Sequence, residues 1–322
     1  MKRRYLVALG LAAAAVAVGM MPYSRVTSTS SFASGTALRP FAGAPASGQP
    51  APVSLAIVRT SAKPVREAMI VSGGSWSRDV TVSMSGFVIH HGDKVLAFDL
   101  GLGSGIDAQF DAEMPMWARP TFGYARPVDP LAAQFARAGQ PLPEEVLLSH
   151  SHWDHGSGLE DIPKARVWVS GPELDLIRAS HGGAGQPWMS QVGRPDIRWE
   201  TLTFPDGPWM GFDRSLDVFG DKSVVVVPMP GHTPGSVGLF VTVSSGRRFL
   251  LVGDALWNAG ELREGQGKSS AASMIVDGDR AQTAAMVRQL VRLARDNPGL
   301  TIVPAHDGDL QARLGLFPRW ID

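Results

Sequence analysis

From residue 81 onward the chain alternates. In "TVSMSGFVIHHGDKVLAFDLG" apolar and polar positions take turns on either side of His91-Gly92-Asp93, which predicts two strands joined by a tight turn. Asp129 to Gly139 sets Leu131, Phe135 and Ala136 on one side at helical spacing. "EEVLL" and "ARVWVS" are short apolar runs of the kind that form buried strands. Ser170 stands three residues before Glu173, the spacing of a capping box, so a helix is expected there through about Ala179. In the second half "KSVVVVPM", "SVGLFVTV" and "RRFLLVGD" predict three more strands, the last two joined by Ser244-Ser245-Gly246. Asp279 to Asn297 returns to helical spacing, and Leu300 to Pro304 reads as a final strand. Strand runs in both halves with helices between them predict an α/β protein, its sheets covered by helices.

The start of the chain follows different rules. Lys2, Arg3 and Arg4 precede a nearly unbroken apolar run from Leu6 to Met21. That pattern marks residues 1–22 as an export signal or an uncleaved N-terminal anchor. Arg3-Arg4 followed by Tyr5-Leu6-Val7 is weakly similar to a twin-arginine signal. Residues 23–52 are dominated by Ser, Ala, Gly and Pro, the composition of a flexible leader. The folded domain is therefore expected over 53–322, in a periplasmic or secreted protein or one held to the membrane by its N-terminus.

Composition narrows the chemistry. Hydrophobic residues make up 44% of the 322, enough to bury a sizeable core. Thirty basic residues balance thirty acidic ones, so no excess of positive charge exists to hold a nucleic acid. A small-molecule substrate is the expected partner, and the oligomeric state is left open. There is no cysteine, which removes disulfides, thiolate ligands and a thiol nucleophile. Any metal must be held by nitrogen and oxygen.

Four strand runs end in polar clusters. "EEVLL" leads into His150, "VVVVPMPG" into His232, "RRFLLVG" into Asp254 and "TIVPA" into His306. The first cluster, "SHSHWDHGSG", uses three of the chain's eight histidines within six positions. In an extended segment His150 and His152 point to the same side and can bind one ion. Asp154 and His155 follow as the chain turns and can reach a second ion beside it. Each ion needs further ligands, which the later histidines can supply, and a carboxylate such as Asp254 can bridge two cations. Imidazole and carboxylate suit zinc, and manganese or iron also accept them.

"HSHWDH" fits H-x-H-x-D-H, and with "GHTPGS", "VGDA" and "PAHD" in that order the chain resembles the metallo-β-lactamase superfamily from about Ser54 to Asp307. The resemblance implies an αββα sandwich, two mixed β-sheets packed face to face with helices outside. It implies two divalent metal ions, most simply Zn: His150, His152 and His232 around the first, Asp154, His155 and His306 around the second, Asp254 bridging. Asp99 in "FDLG" matches a segment whose aspartate orients a liganding imidazole; a plain strand-end turn is the alternative reading.

Aspartate at 254 resembles the lactonases and related hydrolases more than lactam-cleaving members, which usually carry cysteine or serine there. Acyl-homoserine lactonases look nearest, although no tyrosine follows Tyr124 to serve as an oxyanion donor. The implied reaction is attack of a metal-bridged hydroxide on an ester or lactone carbonyl. Asp154 or Asp254 would pass the proton to the leaving group, with Asp154 slightly favoured. Hydrolysis of β-lactams, or of phosphoesters and phosphotriesters, is the alternative.

Three stretches are candidates for the mouth of the site: 112–128, 184–212 and 257–274, the first two rich in Met, Trp and Phe. They suggest a pocket for a substrate with a hydrophobic portion. Arg119 or Lys268 is a candidate partner for a substrate carboxylate. His90 and His91 read as solvated turn residues, and His181 as a helix C-terminal cap.

Overall fold

The computed structural model describes residues 40–41 and 51–322. The predicted export signal or anchor and most of the leader lie outside the described residues. Among the described residues no helix is long and apolar enough to cross a membrane.

Two sheets form. The first has six strands in the order β1 (Val53–Arg66), β2 (Asp79–His91), β3 (Lys94–Leu100), β4 (Glu145–Leu147), β5 (Arg166–Ser170) and β6 (Arg198–Leu202). β1, β2 and β3 pair antiparallel, and β3 to β6 pair parallel. The second sheet runs β11 (Leu300–Val303), β10 (Arg248–Leu251), β9 (Val237–Thr242), β8 (Val224–Pro228) and β7 (Leu216–Asp217). Only its β10–β11 pair is parallel. Both sheets are mixed.

Alternation decides which side chains meet. In β8, Val224 and Val226 enter the core between the sheets beside Phe87, Phe98 and Trp168 of the first sheet. Val225 and Val227 point the other way, onto Met286, Val287 and Leu290. Those three belong to the long helix Arg280–Asp296. A strand buried on both faces needs apolar residues at every position, hence the unbroken valine run. On the outside of the first sheet, Val88, Val146 and Val167 pack against Leu131 and Phe135 of the helix Leu131–Arg137 and Ile177 of the helix Gly171–Ala179. Helix, sheet, sheet, helix is the αββα sandwich expected from the sequence.

Three local expectations change. Ala136 is exposed and Gln134 is buried instead, because the Gln134 amide donates to the carbonyls of Arg59 and Asp129. His90 and His91 are partly buried and packed against aromatic rings rather than free in solvent. His91 lies flat on Phe219, ring centroids 3.8 Å apart, and its Nε2 is 2.7 Å from Asp221 Oδ2. His90 packs on Trp320. Ser180, not His181, caps the helix Gly171–Ala179, its N–H donating to the Ile177 carbonyl.

Candidate metal centre

The strand ends converge. All seven residues singled out in the sequence, His150, His152, Asp154, His155, His232, Asp254 and His306, are buried and meet at one edge of the sandwich. Three sets have ligand-type atoms within 4.8 Å of one another: His150, His152 and His232; His150, His155 and Asp254; Asp154, His155 and His306. Asp254 straddles the halves. Its Oδ1 lies 3.2 Å from His155 Nε2 and 3.1 Å from His306 Nε2, while Oδ2 lies 3.4 Å from His232 Nε2.

Four imidazoles have one nitrogen engaged outward and the other facing the centre. His155 Nδ1 donates to Asp99 Oδ2 at 2.8 Å, and His306 Nδ1 to the Ser83 carbonyl at 2.7 Å. His232 Nδ1 donates to Asp277 Oδ1 at 2.9 Å. His150 Nδ1 donates to Ser149 Oγ, whose own proton goes to Asp99. Fixing the outer nitrogen as the donor reserves the inner nitrogen, once it carries no proton, for a cation. His232 Nε2 faces His150 Nε2 at 3.1 Å and His152 Nδ1 at 2.9 Å.

Asp99 is aimed by a bulge. Gly86 pairs with Leu100 and Phe87 with Phe98, leaving Asp99 as the extra residue, at φ +57°. A bulge redirects a side chain, and aspartate accepts the left-handed region better than most residues. Asp99 thereby accepts from Ser149 N and Oγ as well as from His155, which favours the orienting role over the plain turn. The "GHTPG" loop is fixed in the same tight manner. Gly231 has φ +141°, and a Cβ there would lie 2.6 Å from the Thr283 nitrogen.

Electrostatics divides the centre. Burial, reinforced by the neighbouring imidazoles, holds His150 and His152 well below the usual histidine range. Burial and Lys268 lower His232 too. In the other half burial also opposes charge, but carboxylates win: Asp99, Asp254 and Asp154 hold His155 well above its ordinary value, and Asp254 and Asp154 push His306 up to about 8. One half offers neutral nitrogens; the other gathers negative charge. Two of its atoms, His155 Nε2 and Asp254 Oδ1, are buried and close together without the geometry of a good hydrogen bond. Buried polar atoms left in poor geometry are costly, and inward nitrogens beside carboxylates fit divalent cations held by nitrogen and oxygen.

Several supporting residues were not legible in the sequence. The Ser170–Glu173 capping box is half formed. Ser170 Oγ accepts from Glu173 N, but the Glu173 carboxylate turns inward to Ser151 N and Oγ and to Thr233 Oγ1. It ties the first histidine loop to the loop carrying His232. Asp277 and Lys268 were missed as a pair. Lys268 Nζ lies 2.9 Å from Asp277 Oδ1, and both side chains are 1% exposed. Burial pushes the Asp277 carboxyl up, but Lys268 and His232 prevail and hold it well below the usual range. Lys268 is thus committed to Asp277 and is not free for a substrate carboxylate. Arg119 is likewise engaged, by Asp111 and the Met114 carbonyl. Asp277→Asn is expected to weaken zinc binding in the three-histidine half by about 10- to 100-fold, measured by chelator competition. Unchanged affinity would show that the His232 ring needs no anionic partner.

A cavity of about 500 Å³ opens beside the cluster, with Asp154 and His306 in its wall. Met84, Phe122, Trp153, Trp257 and Ile275 line it. Of the three predicted mouth stretches, 112–128 contributes Thr121 to Gly123, and 257–274 contributes Trp257 and Ser269 to Ala272. The stretch 184–212 does not line this cavity, although Pro187 pairs with His152. Trp188 is buried against Trp153, and Trp209, Met210 and Phe212 pack on the outer face of the second sheet. Lys63, Val65, Ala68 to Ile70 and Trp76, which complete much of the wall, had no signal in the sequence. Trp257 does more than line the wall, because its indole N–H donates to Asp254 Oδ2 at 2.7 Å.

Known proteins agree with this architecture. A probable metallo-hydrolase of Mycobacterium tuberculosis is 33% identical over 185 residues, 51% of this chain and 55% of that protein. An N-acyl homoserine lactonase of Rhizobium radiobacter is 26% identical over 178 residues, 54% of this chain and 62% of that protein. The chain spans little more than half the length of these curated relatives. Among solved structures, an N-acyl homoserine lactone hydrolase holding N-hexanoyl-L-homoserine aligns with a TM-score of 0.62 at 14% identity, over 85% of this chain and 100% of that one. The dizinc quorum-quenching lactonase AidC aligns with a TM-score of 0.53 at 14% identity, over 80% and 88%. Those two likenesses speak for the fold. Residues 79–306, which hold all four ligand segments in order, match the metallo-β-lactamase superfamily, and the chain belongs to it.

Proposed function

We propose that the protein is a dinuclear, zinc-dependent hydrolase of an ester or lactone with a hydrophobic acyl or aryl portion. The observation that carries this reading is Asp254, one oxygen facing His155 and His306 and the other facing His232. In the proposed site His150, His152 and His232 hold one cation, Asp154, His155 and His306 the other, and Asp254 both. A pair of divalent cations bound there supplies an activated water and polarises a carbonyl oxygen.

The chain's own residues do the rest. The apolar cavity seats the hydrophobic portion and excludes water from that side of the scissile bond. Asp154 stands in the cavity wall, 3.3 Å from His306 Nε2, where it can hold a proton for the departing alkoxide. Asp254 is less free for that task, since Oδ2 already accepts from Trp257. The lactonases among the relatives and solved structures support the substrate class.

The test is a substrate panel on zinc-loaded protein: acyl lactones and aryl esters of short and long chain, nitrocefin, and a phosphotriester. Lactones or esters are expected to exceed the others in kcat/KM by about 100-fold, with longer acyl chains preferred, at roughly 0.8 kcal/mol per buried methylene. Faster turnover of nitrocefin or of the phosphotriester would reject the reading.

A further inference from the structure

We propose that Lys63 binds an anionic group at the far end of the substrate's acyl portion, so that the preferred substrate is an ester or lactone carrying a carboxylate beyond an apolar spacer. The inference rests on the hydrolase reading and names the substrate class for the same site. Three charge-bearing side chains line the cavity: Asp154, His306 and Lys63. The first two belong to the metal centre. Lys63 does not.

Among the described residues no carboxylate forms an ion pair with Lys63, and its ammonium donates a long hydrogen bond to the Thr121 carbonyl at 3.3 Å. The cavity wall it shares is largely apolar, with its strand partner Val82 and with Val65 and Phe122 among the lining residues. Burial among them pushes the ammonium below its ordinary range, with no opposing charge to offset the loss of water. A half-buried cation without an anionic partner is unfavourable, and an anion brought by a ligand reduces that cost.

Register puts Lys63 at a useful distance from the reaction. On β1 it pairs with Val82 of β2. The next residue of β2, Ser83, takes the Nδ1 proton of His306 on its carbonyl and donates its own N–H to the His306 carbonyl. One strand step therefore separates the Lys63 wall from the segment that orients His306. A ligand with its carbonyl at the metal centre can lay a short apolar chain along Val82, Met84 and Phe122 and still reach the ammonium.

The experiment compares matched pairs. Mono-4-nitrophenyl adipate and 4-nitrophenyl hexanoate differ by a terminal carboxylate in place of a methyl group, and so do their products, adipate and hexanoate. Hydrolysis of the esters and calorimetric binding of the products are measured on zinc-loaded wild type, K63M, K63Q and K63R. K63M and K63Q are expected to shift the adipate-to-hexanoate ratio by about tenfold or more toward hexanoate, the size of one charge-assisted hydrogen bond, while K63R keeps the wild-type ratio. A ratio in K63M and K63Q equal to that of wild type overturns the proposal. K63Q, which retains length and polarity, guards against a packing defect in K63M, and melting curves confirm folding. If wild type hydrolyses neither ester, the aryl-ester arm of the hydrolase reading falls, and the product-binding ratio still decides whether Lys63 reads the carboxylate.

Discussion

Asp254→Ala should lose one or both bound ions and about 10²- to 10³-fold or more in kcat/KM, the scale seen when one charge-stabilising group is removed from an active site. The Asp254 carboxylate is buried, and burial works to raise it, yet His306 and His155 hold it well below the usual range. It is therefore an anion in the folded protein, and its charge faces both halves of the centre. Alanine leaves His155 Nε2 and His306 Nε2 opposed only by Asp154, and it removes the acceptor of the Trp257 indole. Asp254→Asn separates charge from shape. The amide fills the same space and still accepts from Trp257, so a folded Asn variant that has lost metal and activity assigns the effect to the carboxylate charge. Metal content by mass spectrometry and kcat/KM on the best panel substrate are the readouts. Wild-type metal content and rate in the alanine variant would disprove the bridging role.

Asp99 should be the next most sensitive position. Its carboxylate is fully buried and accepts from Ser149 N, Ser149 Oγ and His155 Nδ1. Through Ser149 it also steadies His150, so one side chain orients a member of each half. Asp99→Asn keeps a residue suited to φ +57° but gives up the charge; zinc affinity is expected to fall about 10- to 100-fold. Asp99→Ala adds two penalties. It strands buried donors, at roughly 1–3 kcal/mol each, and it places alanine in a conformation that disfavours a Cβ. A melting temperature well below that of the Asn variant is therefore expected, read by calorimetry. Equal zinc affinity in Asp99→Asn and wild type would show that the neutral acceptor suffices.

What the sequence revealed and what it hid divide along contact range. The strands of the sandwich were readable because their period lies in neighbouring residues, as in the valine run of β8, whose alternate members serve two cores. The clustering of the seven residues was readable because four strands end in ligand-type residues, and "HSHWDH" gathers four of the seven in one turn of chain. Residues whose role depends on distant partners were not readable. Glu173 had a sufficient local explanation as a capping residue, and its bonds to Ser151 and Thr233 cross 22 and 60 positions. Asp277 lies 45 residues from His232 in a segment without a motif. The cavity wall from Lys63 to Ile70 faces the site only because β1 pairs with β2, which in turn meets His306 through Ser83. Trp257 was placed in the right region, but only the folded chain brings its indole to Asp254.

On the proposed reading, five imidazoles and two carboxylates would hold a pair of cations, not a single one. Metal-free protein, saturated with zinc, freed of excess and analysed by mass spectrometry for zinc per chain, tests this most directly. Two equivalents per chain are predicted. One equivalent at saturation, or none, would contradict the account.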